Sequence, residues 1–315
     1  MIAEERHIVP PHLQILTTPG WTDYALLDTG GGKKLERFGA LTLVRPEPQA
    51  IWQSSGDAAA WDRADAFFDA KPGDAKAGED EDNWGRWRFA RPLAPEWPVA
   101  YRDIKIACRF TAFRHVGLFP EQAPHWDWAT ARASSFGVER PKLLNLFAYT
   151  GAASLMAAAA GYEVTHVDAS KKAIAWAKEN QTASGLGQAP IRWICDDATK
   201  FVAREVRRAN RYHGILLDPP KFGRGPANET WRIEENLMPM LADCAALLAP
   251  GPSFLMLTAY AIRLSALSLR EAARGALAAR DGTFEAGELA VEQQSGGRFL
   301  STSLYVRWTG SGAAP

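Results

Sequence analysis

From residue 141 onward, short apolar runs alternate with segments whose apolar residues recur at helical spacing. KLLNLF (142–147), EVTHVD (163–168), IRWIC (191–195), GILLD (214–218) and SFLMLT (253–258) have the length and bounded ends of buried strands. Between them, AASLMAAAA (152–160), KKAIAWAKENQTAS behind an N-cap at Ser170, TKFVAREVRRAN (199–210), a long segment over 228–249 kinked at Pro239, and 263–279 read as helices. Two β-rich runs close the chain, GELAVEQQ (287–294) and FLSTSLYVRW (299–308), with Ser295-Gly296-Gly297 between them as a hairpin signal. Strands alternating with helices predict a mostly parallel α/β sheet covered on both faces, with antiparallel strands added by the hairpin. Ligands of such sheets bind at the carboxyl ends of the strands, so the residues just after each strand are the ones to examine.

The first 140 residues read differently: they hold eight of the twelve tryptophans and show short extended runs instead of long helical ones. FGALTLVRP (38–46), RWRFARPL (86–93) and PVAYRDIKIACRFTAF (98–113) are expected strands, the last folding back near Arg102-Asp103. KPGDAKAGEDEDN (71–83) is polar and acidic and reads as an exposed loop. There are no internal repeats. The expected division is a smaller β-rich N-terminal domain over 1–115 and an α/β domain over 116–315.

Composition narrows the partners. Lys+Arg and Asp+Glu both total 36, so no global field draws the chain to nucleic acid or membrane, and polyanion binding would need a local patch. Cys108, Cys195 and Cys244 are scattered without metal-ligand spacing and read as buried thiols in a reducing compartment. No metal site is expected. MIAEERHIVPPHLQ lacks a charged region leading into an apolar one. No run approaches the ~18 apolar residues of a membrane span. A cytoplasmic protein is expected.

The strand ends carry the chemistry. FAYTGAAS (147–154) turns into a helix at Gly151 without a GxGxxG fingerprint, which argues against a pyrophosphate cradle and a nicotinamide dehydrogenase. Asp168, after the second strand, can accept from both hydroxyls of a ribose, or serve only as a helix-start acid. Asp197, after the third, can accept from an exocyclic amine, or only cap a helix. After the fourth strand, Asp218-Pro219-Pro220 holds a carboxylate on a stiff extended backbone aimed into the crevice.

Three acids ending successive strands, one glycine turn and a double proline resemble class I S-adenosylmethionine-dependent methyltransferases. LNLFAYTGAAS, HVDAS, CDDA, DPPKF and the closing STSLYVRW are most similar to the bacterial large-subunit rRNA methyltransferases acting on cytosine C5 or guanine N7, from about residue 115 to the end. The resemblance implies a seven-stranded Rossmann-like sheet and S-adenosylmethionine as cofactor. It places Tyr149, Thr150 and Gly151 by the methionine and sulfonium, and Asp168 on the ribose with Ala169 and Ser170 along the adenine. It puts Asp197 on the adenine amine with Ala198 next to it, and Asp218 beside the amino group and transferable methyl. The segment GLFPEQ (117–122) implies further cofactor contacts from Phe119, Glu121 and Gln122, although glutamate replaces the family's aspartate and Ala123 its arginine. Asp218, Pro219, Lys221 and Phe222 are the expected catalytic set, Lys221 separating the prolines from the nearest ring.

The end of strand five bears on the acceptor. Cytosine C5 methylation uses a cysteine adduct, and MLTAYAIR (256–263) has Tyr260 and no cysteine. A base nitrogen of RNA, ribosomal RNA first, is therefore the expected acceptor, with protein or small-molecule methylation and non-catalytic RNA binding as alternatives. Arg86, Arg88, Arg91, Arg102, Lys105, Arg109 and Arg114, interleaved with Trp84, Trp87, Trp97 and Tyr101, form the candidate RNA patch. HWDW (125–128) is expected to plug the core between the domains, or else to wall the acceptor pocket.

Overall fold

The computed structural model describes residues 11–70, 85–260 and 262–311; the acidic segment 71–83 and Trp84 lie outside them. Chain order begins with β1 (Leu13–Thr17), β2 (Tyr24–Gly30), β3 (Lys33–Phe38), β4 (Leu41–Pro46), a short helix α1 (Ala58–Asp62), β5 (Ala66–Ala70), β6 (Gly85–Phe89), β7 (Glu96–Tyr101) and β8 (Ile104–Arg109). A short 3-10 turn over Pro120–Gln122 leads into α2 (Ala123–Ala131). The alternating part comes next: β9 (Lys142–Leu146), α3 (Ala152–Ala159), β10 (Glu163–Asp168), α4 (Lys171–Ala183), β11 (Ile191–Cys195), α5 (Ala198–Arg207) and β12 (Gly214–Leu217). It continues with β13 (Phe222–Arg224), β14 (Thr230–Arg232), α6 (Ile233–Leu247), β15 (Phe254–Ala259), α7 (Ala266–Ala276), β16 (Gly282–Glu292) and β17 (Phe299–Gly310).

The large sheet has the order β1-β16-β17-β15-β12-β9-β10-β11. The five strands β15, β12, β9, β10 and β11, the last at the edge, run parallel, and β17 is antiparallel to both β15 and β16. Their cores are apolar on both faces, Leu143, Leu144 and Leu146 of β9 being fully buried, as strands covered by helices on both sides must be. The fold class read from the sequence holds, with an eighth strand: β1 pairs parallel with β16 on the far edge. Chain order reverses between β9 and β12, which makes their carboxyl ends the switch point where such sheets bind ligands.

Two local expectations are corrected. The helix after β12 starts at Ile233 instead of 228, because a two-stranded hairpin, β13–β14, comes first. Trp231 Nε1 in that hairpin donates to the Pro220 carbonyl at 2.7 Å and ties it to the double proline. Cys195 is exposed, because it ends the edge strand β11, whereas Cys108 and Cys244 are buried as expected.

Strands β2–β6 form a separate five-stranded sheet and β7–β8 a hairpin. The hairpin is fastened to α4: Ala107 N donates to Asn180 Oδ1 (2.9 Å), and Trp176 Nε1 donates to Ala107 O (2.7 Å). The five-stranded sheet is clamped to the β16–β17 hairpin through buried Asp28, which accepts from Gln293 Nε2 at 2.9 Å and from Trp61 Nε1 at 2.9 Å. Trp126 of α2 is 6% exposed and packs with Trp21 and Tyr101 as a core plug, while His125 and Trp126 also line the cavity described below, so HWDW serves both expected ends. Among the described residues no helix is long and apolar enough to cross a membrane.

Candidate active site

The turn after β9 does without a glycine-rich loop by placing ordinary residues in left-handed conformations. Phe147 (φ 57°) and Tyr149 (φ 49°) join Gly151 (φ 88°) in that region, a costly backbone for bulky side chains. It persists because neighbours over-determine it. Asp168 Oδ2 accepts from Tyr149 N (2.8 Å), Thr150 Oγ1 donates to Gly117 O (2.6 Å), and Asn180 Nδ2 donates to Thr150 O (2.9 Å). Gly151 is needed twice over, since a Cβ there would also sit 3.0 Å from the Ala177 Cβ. Gly151→Ala is expected to destabilise the fold by roughly 1–3 kcal/mol, read as a lower denaturation midpoint with an unchanged m-value.

Asp168 is itself held by backbone: Oδ1 accepts from Ser170 N at 2.8 Å while Ser170 Oγ caps α4. Burial raises its carboxyl above the usual range, and the two backbone N–H groups oppose that rise. Of the adjacent acids after β11, Asp197 lines the cavity and caps α5 by accepting from Lys200 N (2.9 Å). Asp196 instead pairs with Arg204.

Asp218 follows β12, and the parallel register Leu217↔Leu257 brings Thr258 of β15 beside it. Thr258 Oγ1 donates to Asp218 Oδ1 (2.6 Å), and Gln122 Nε2 donates to Oδ2 (3.1 Å). Burial pushes the Asp218 carboxyl up to about 6, against the pull of the Thr258 hydrogen bond.

These groups line one cavity of about 710 Å³, within the usual range of small-molecule sites. It brings together Phe119, Glu121, Gln122, Tyr149, Thr150, Gly151, Asp168, Ala169, Ser170, Asp197, Ala198, Asp218 and Lys221 of the expected site residues. Pro219 is buried and Phe222 half-buried under Arg232; neither lines the cavity. The site residues that sequence reasoning missed are Thr258, Trp231, His115 and the wall from the five-stranded sheet: Lys34, Arg45 and Glu47. Only Thr258 had a signal, its position at the end of the strand next to Asp218.

The wall from the five-stranded sheet is charged yet internally balanced. Glu36 takes Arg45 at 2.6 Å, and Lys34 reaches Glu47 at 3.2 Å. Burial, followed by Arg114, Arg45 and Lys34, keeps His115 well below its ordinary pKa, so it is a neutral ring, 4.9 Å from Phe119 between centroids. Phe119 in turn stands 5.6 Å from Tyr149. The cations of the candidate RNA patch are largely spent: Arg88, Arg91 and Arg102 pair with Asp69, Asp65 and Asp127, and Arg109 pairs with Glu96 and Glu179. Trp97 and Tyr101 are buried.

The cavity thus gathers acids from neighbouring strand ends, a tight turn leading into a helix N-terminus, and the Asp218 carboxylate. A family model described as "Conserved hypothetical protein 95" matches residues 126–238. Two proteins called "Ribosomal RNA large subunit methyltransferase K/L" match part of the chain. The one from Shewanella frigidimarina is 32% identical over 149 residues, 47% of this chain and 20% of that protein. The one from Hahella chejuensis is 34% identical over 150 residues, 46% and 20% respectively. The match thus spans about a fifth of the length of these relatives. A putative methyltransferase from Streptococcus mutans, 15% identical with a TM-score of 0.70 over 91% of this chain and 75% of that one, shares the fold. The crystal structure of the SAM-dependent methyltransferase from Agrobacterium tumefaciens is 48% identical, with a TM-score of 0.87 over 94% of this chain and 93% of that one. On that likeness over nearly the whole of both chains, this chain belongs to the S-adenosylmethionine-dependent methyltransferases.

Proposed function

We propose that the chain transfers the methyl group of S-adenosylmethionine to a base nitrogen of RNA, in the cytoplasm, with ribosomal RNA as the substrate class. The observation that carries this reading is the shared cavity. One side is the switch point of the large sheet, the other the five-stranded sheet, with Phe119, Tyr149, Trp231, Tyr260 and His115 among its lining rings. A cavity walled by rings suits a flat, flipped-out base stacked within reach of a methyl donor. The relatives named for ribosomal RNA support the same class.

In this reading Asp168 holds the ribose hydroxyls and Asp197 the adenine amine, with Ala169, Ser170 and Ala198 along the ring. The turn Tyr149–Gly151 lies against the methionine and sulfonium, and Phe119, Glu121 and Gln122 close over it. The bound cofactor supplies an electrophilic methyl on sulfur. The chain's own share is orientation: Asp218, fixed by Thr258 and Gln122, stands at the methyl-transfer edge, and the acceptor nitrogen approaches from the side of the five-stranded sheet. No cysteine is among the residues lining the cavity, which favours direct attack by nitrogen over a covalent cytosine adduct. We assign the first unit, 1–115, to acceptor recognition and 116–315 to cofactor and transfer.

The RNA track is better placed at the mouth than on the ion-paired arginines. Lys221 and Arg224 are exposed and line the cavity, as does Phe113, 40% exposed. Cations beside an exposed ring are the ordinary means of holding single-stranded RNA.

Incubation with methyl-labelled cofactor and total RNA from cells lacking the gene tests the proposal. Label is expected in RNA and, after hydrolysis, on an N-methylated base. Label confined to protein or small molecules, or on a carbon of cytosine, would overturn it.

A further inference from the structure

Behind the contact between Gln122 and Asp218, α2 meets β17. His125 follows Gln122 by three residues, so the two share a helix face. It is 2% exposed, and its Nδ1 accepts from Arg307 Nη2 (2.7 Å) and Nε (3.2 Å). A guanidinium only donates, so Nδ1 is bare and the neutral ring carries its proton on Nε2. Burial and the Arg307 charge hold His125 neutral. That Nε2–H is buried and has no partner among the described residues, although His125 lines the cavity. Ser303 of β17 is 7% exposed and lines the same cavity, so its hydroxyl is a second donor on that side.

The local charge is unbalanced as well. Arg307 is 4% exposed, and its ion-pair partner among the described residues is Glu285, at 3.7 Å and itself well exposed. Arg132 adds a second positive charge nearby. A buried N–H without a described partner, beside a buried guanidinium whose one described carboxylate partner is distant and exposed, suits an anion.

We propose that His125 and Ser303, with Arg307 behind them, form a carboxylate subsite that receives the α-carboxylate of S-adenosylmethionine. The carboxylate is the cofactor's one anionic group, and Asp218, one helical turn away through Gln122, is the matching acid for its ammonium. Arg307 acts as a positioning residue, fixing the tautomer that presents Nε2–H. The inference rests on the cofactor lying in this cavity, as the proposed function has it.

Calorimetry on the full chain compares S-adenosylmethionine with its decarboxylated form, which keeps the amine and the sulfonium. Wild type is expected to prefer the carboxylate-bearing ligand by about 10-fold or more, the worth of a charge-assisted hydrogen bond. His125→Leu and Ser303→Ala each remove most of that preference while leaving affinity for the decarboxylated ligand in place. His125→Gln, whose amide N–H reaches the Nε2 position, restores part of it. Equal loss for both ligands, or no loss for either, overturns the subsite while leaving the cavity assignment standing. Wild type that binds neither ligand overturns the cavity assignment itself. If His125→Leu fails to fold, Ser303→Ala decides alone.

Discussion

Asp218→Asn is expected to lower turnover by roughly 10²-fold or more while S-adenosylmethionine still binds, because misplacement of the reacting groups is costlier than one lost contact. The carboxylate stands between Thr258 Oγ1 at 2.6 Å and Gln122 Nε2 at 3.1 Å, so its position is set by two strand ends and the turn before α2. With burial pushing it up to about 6, it is ionised at pH 7.5 and becomes protonated below that value. In wild type, kcat/KM for the cofactor should therefore fall as the pH drops through about 6, and the asparagine variant should lack this limb.

Stability moves the other way. A carboxyl whose folded pKa lies above its unfolded 3.8 binds more protons when folded, so the ionised group costs stability above about 6. That cost is on the order of 1–3 kcal/mol and disappears as the pH falls towards 4. Ligand-free Asp218→Asn should thus melt higher than wild type at pH 8 and lose its advantage at pH 4. Calorimetric binding, release of S-adenosylhomocysteine and thermal melts check the three parts. Affinity falling in step with turnover would show Asp218 to be a binding residue only.

Asp168→Ala should weaken S-adenosylmethionine binding by roughly 10²-fold, the combined loss of two charge-assisted hydrogen bonds to the ribose. The side chain does a second job, since its Oδ2 holds Tyr149 N in a left-handed turn, so part of the loss comes from a relaxed first turn. Asp168→Asn separates the two: the amide oxygen can still take Tyr149 N, and the residual deficit belongs to the ribose. Binding of 5′-methylthioadenosine, which has the ribose but no amino-acid end, should fall with it, the opposite of the pattern expected for His125. Wild-type affinity in Asp168→Ala, measured by calorimetry, would remove the ribose assignment.

Much of the candidate site was legible because its chemistry is local. Asp168, Asp197 and Asp218 each follow an apolar run, and proximity at one edge is a consequence of parallel strand order once the strands are recognised. The β13–β14 hairpin was not, because three-residue strands bear too little periodicity to stand out from a polar connection. The arginines over 86–114 carry less free charge than the segment alone suggests: counting charges along it leaves out Asp65, Asp69, Asp127 and Glu179, which the fold brings to them.

By itself the amino-acid sequence determined the alternation of strands and helices, the three strand-end acids, the stiff Asp218-Pro219-Pro220 corner and the want of a cysteine after strand five. Each of these is written in neighbouring residues, where steric preference and apolar burial act within a few positions. Only the tertiary structure decided that Thr258 and Gln122 grip Asp218, that Asn180 and Asp168 sustain a turn with bulky residues at positive φ, and that Lys34, Arg45 and His115 wall the cavity. It alone left the Nε2–H of His125 without a partner among the described residues, on a ring held by Arg307. Those facts depend on contacts between residues far apart in the chain, and the pairing of buried polar groups across such distances is settled by packing, which no local pattern encodes.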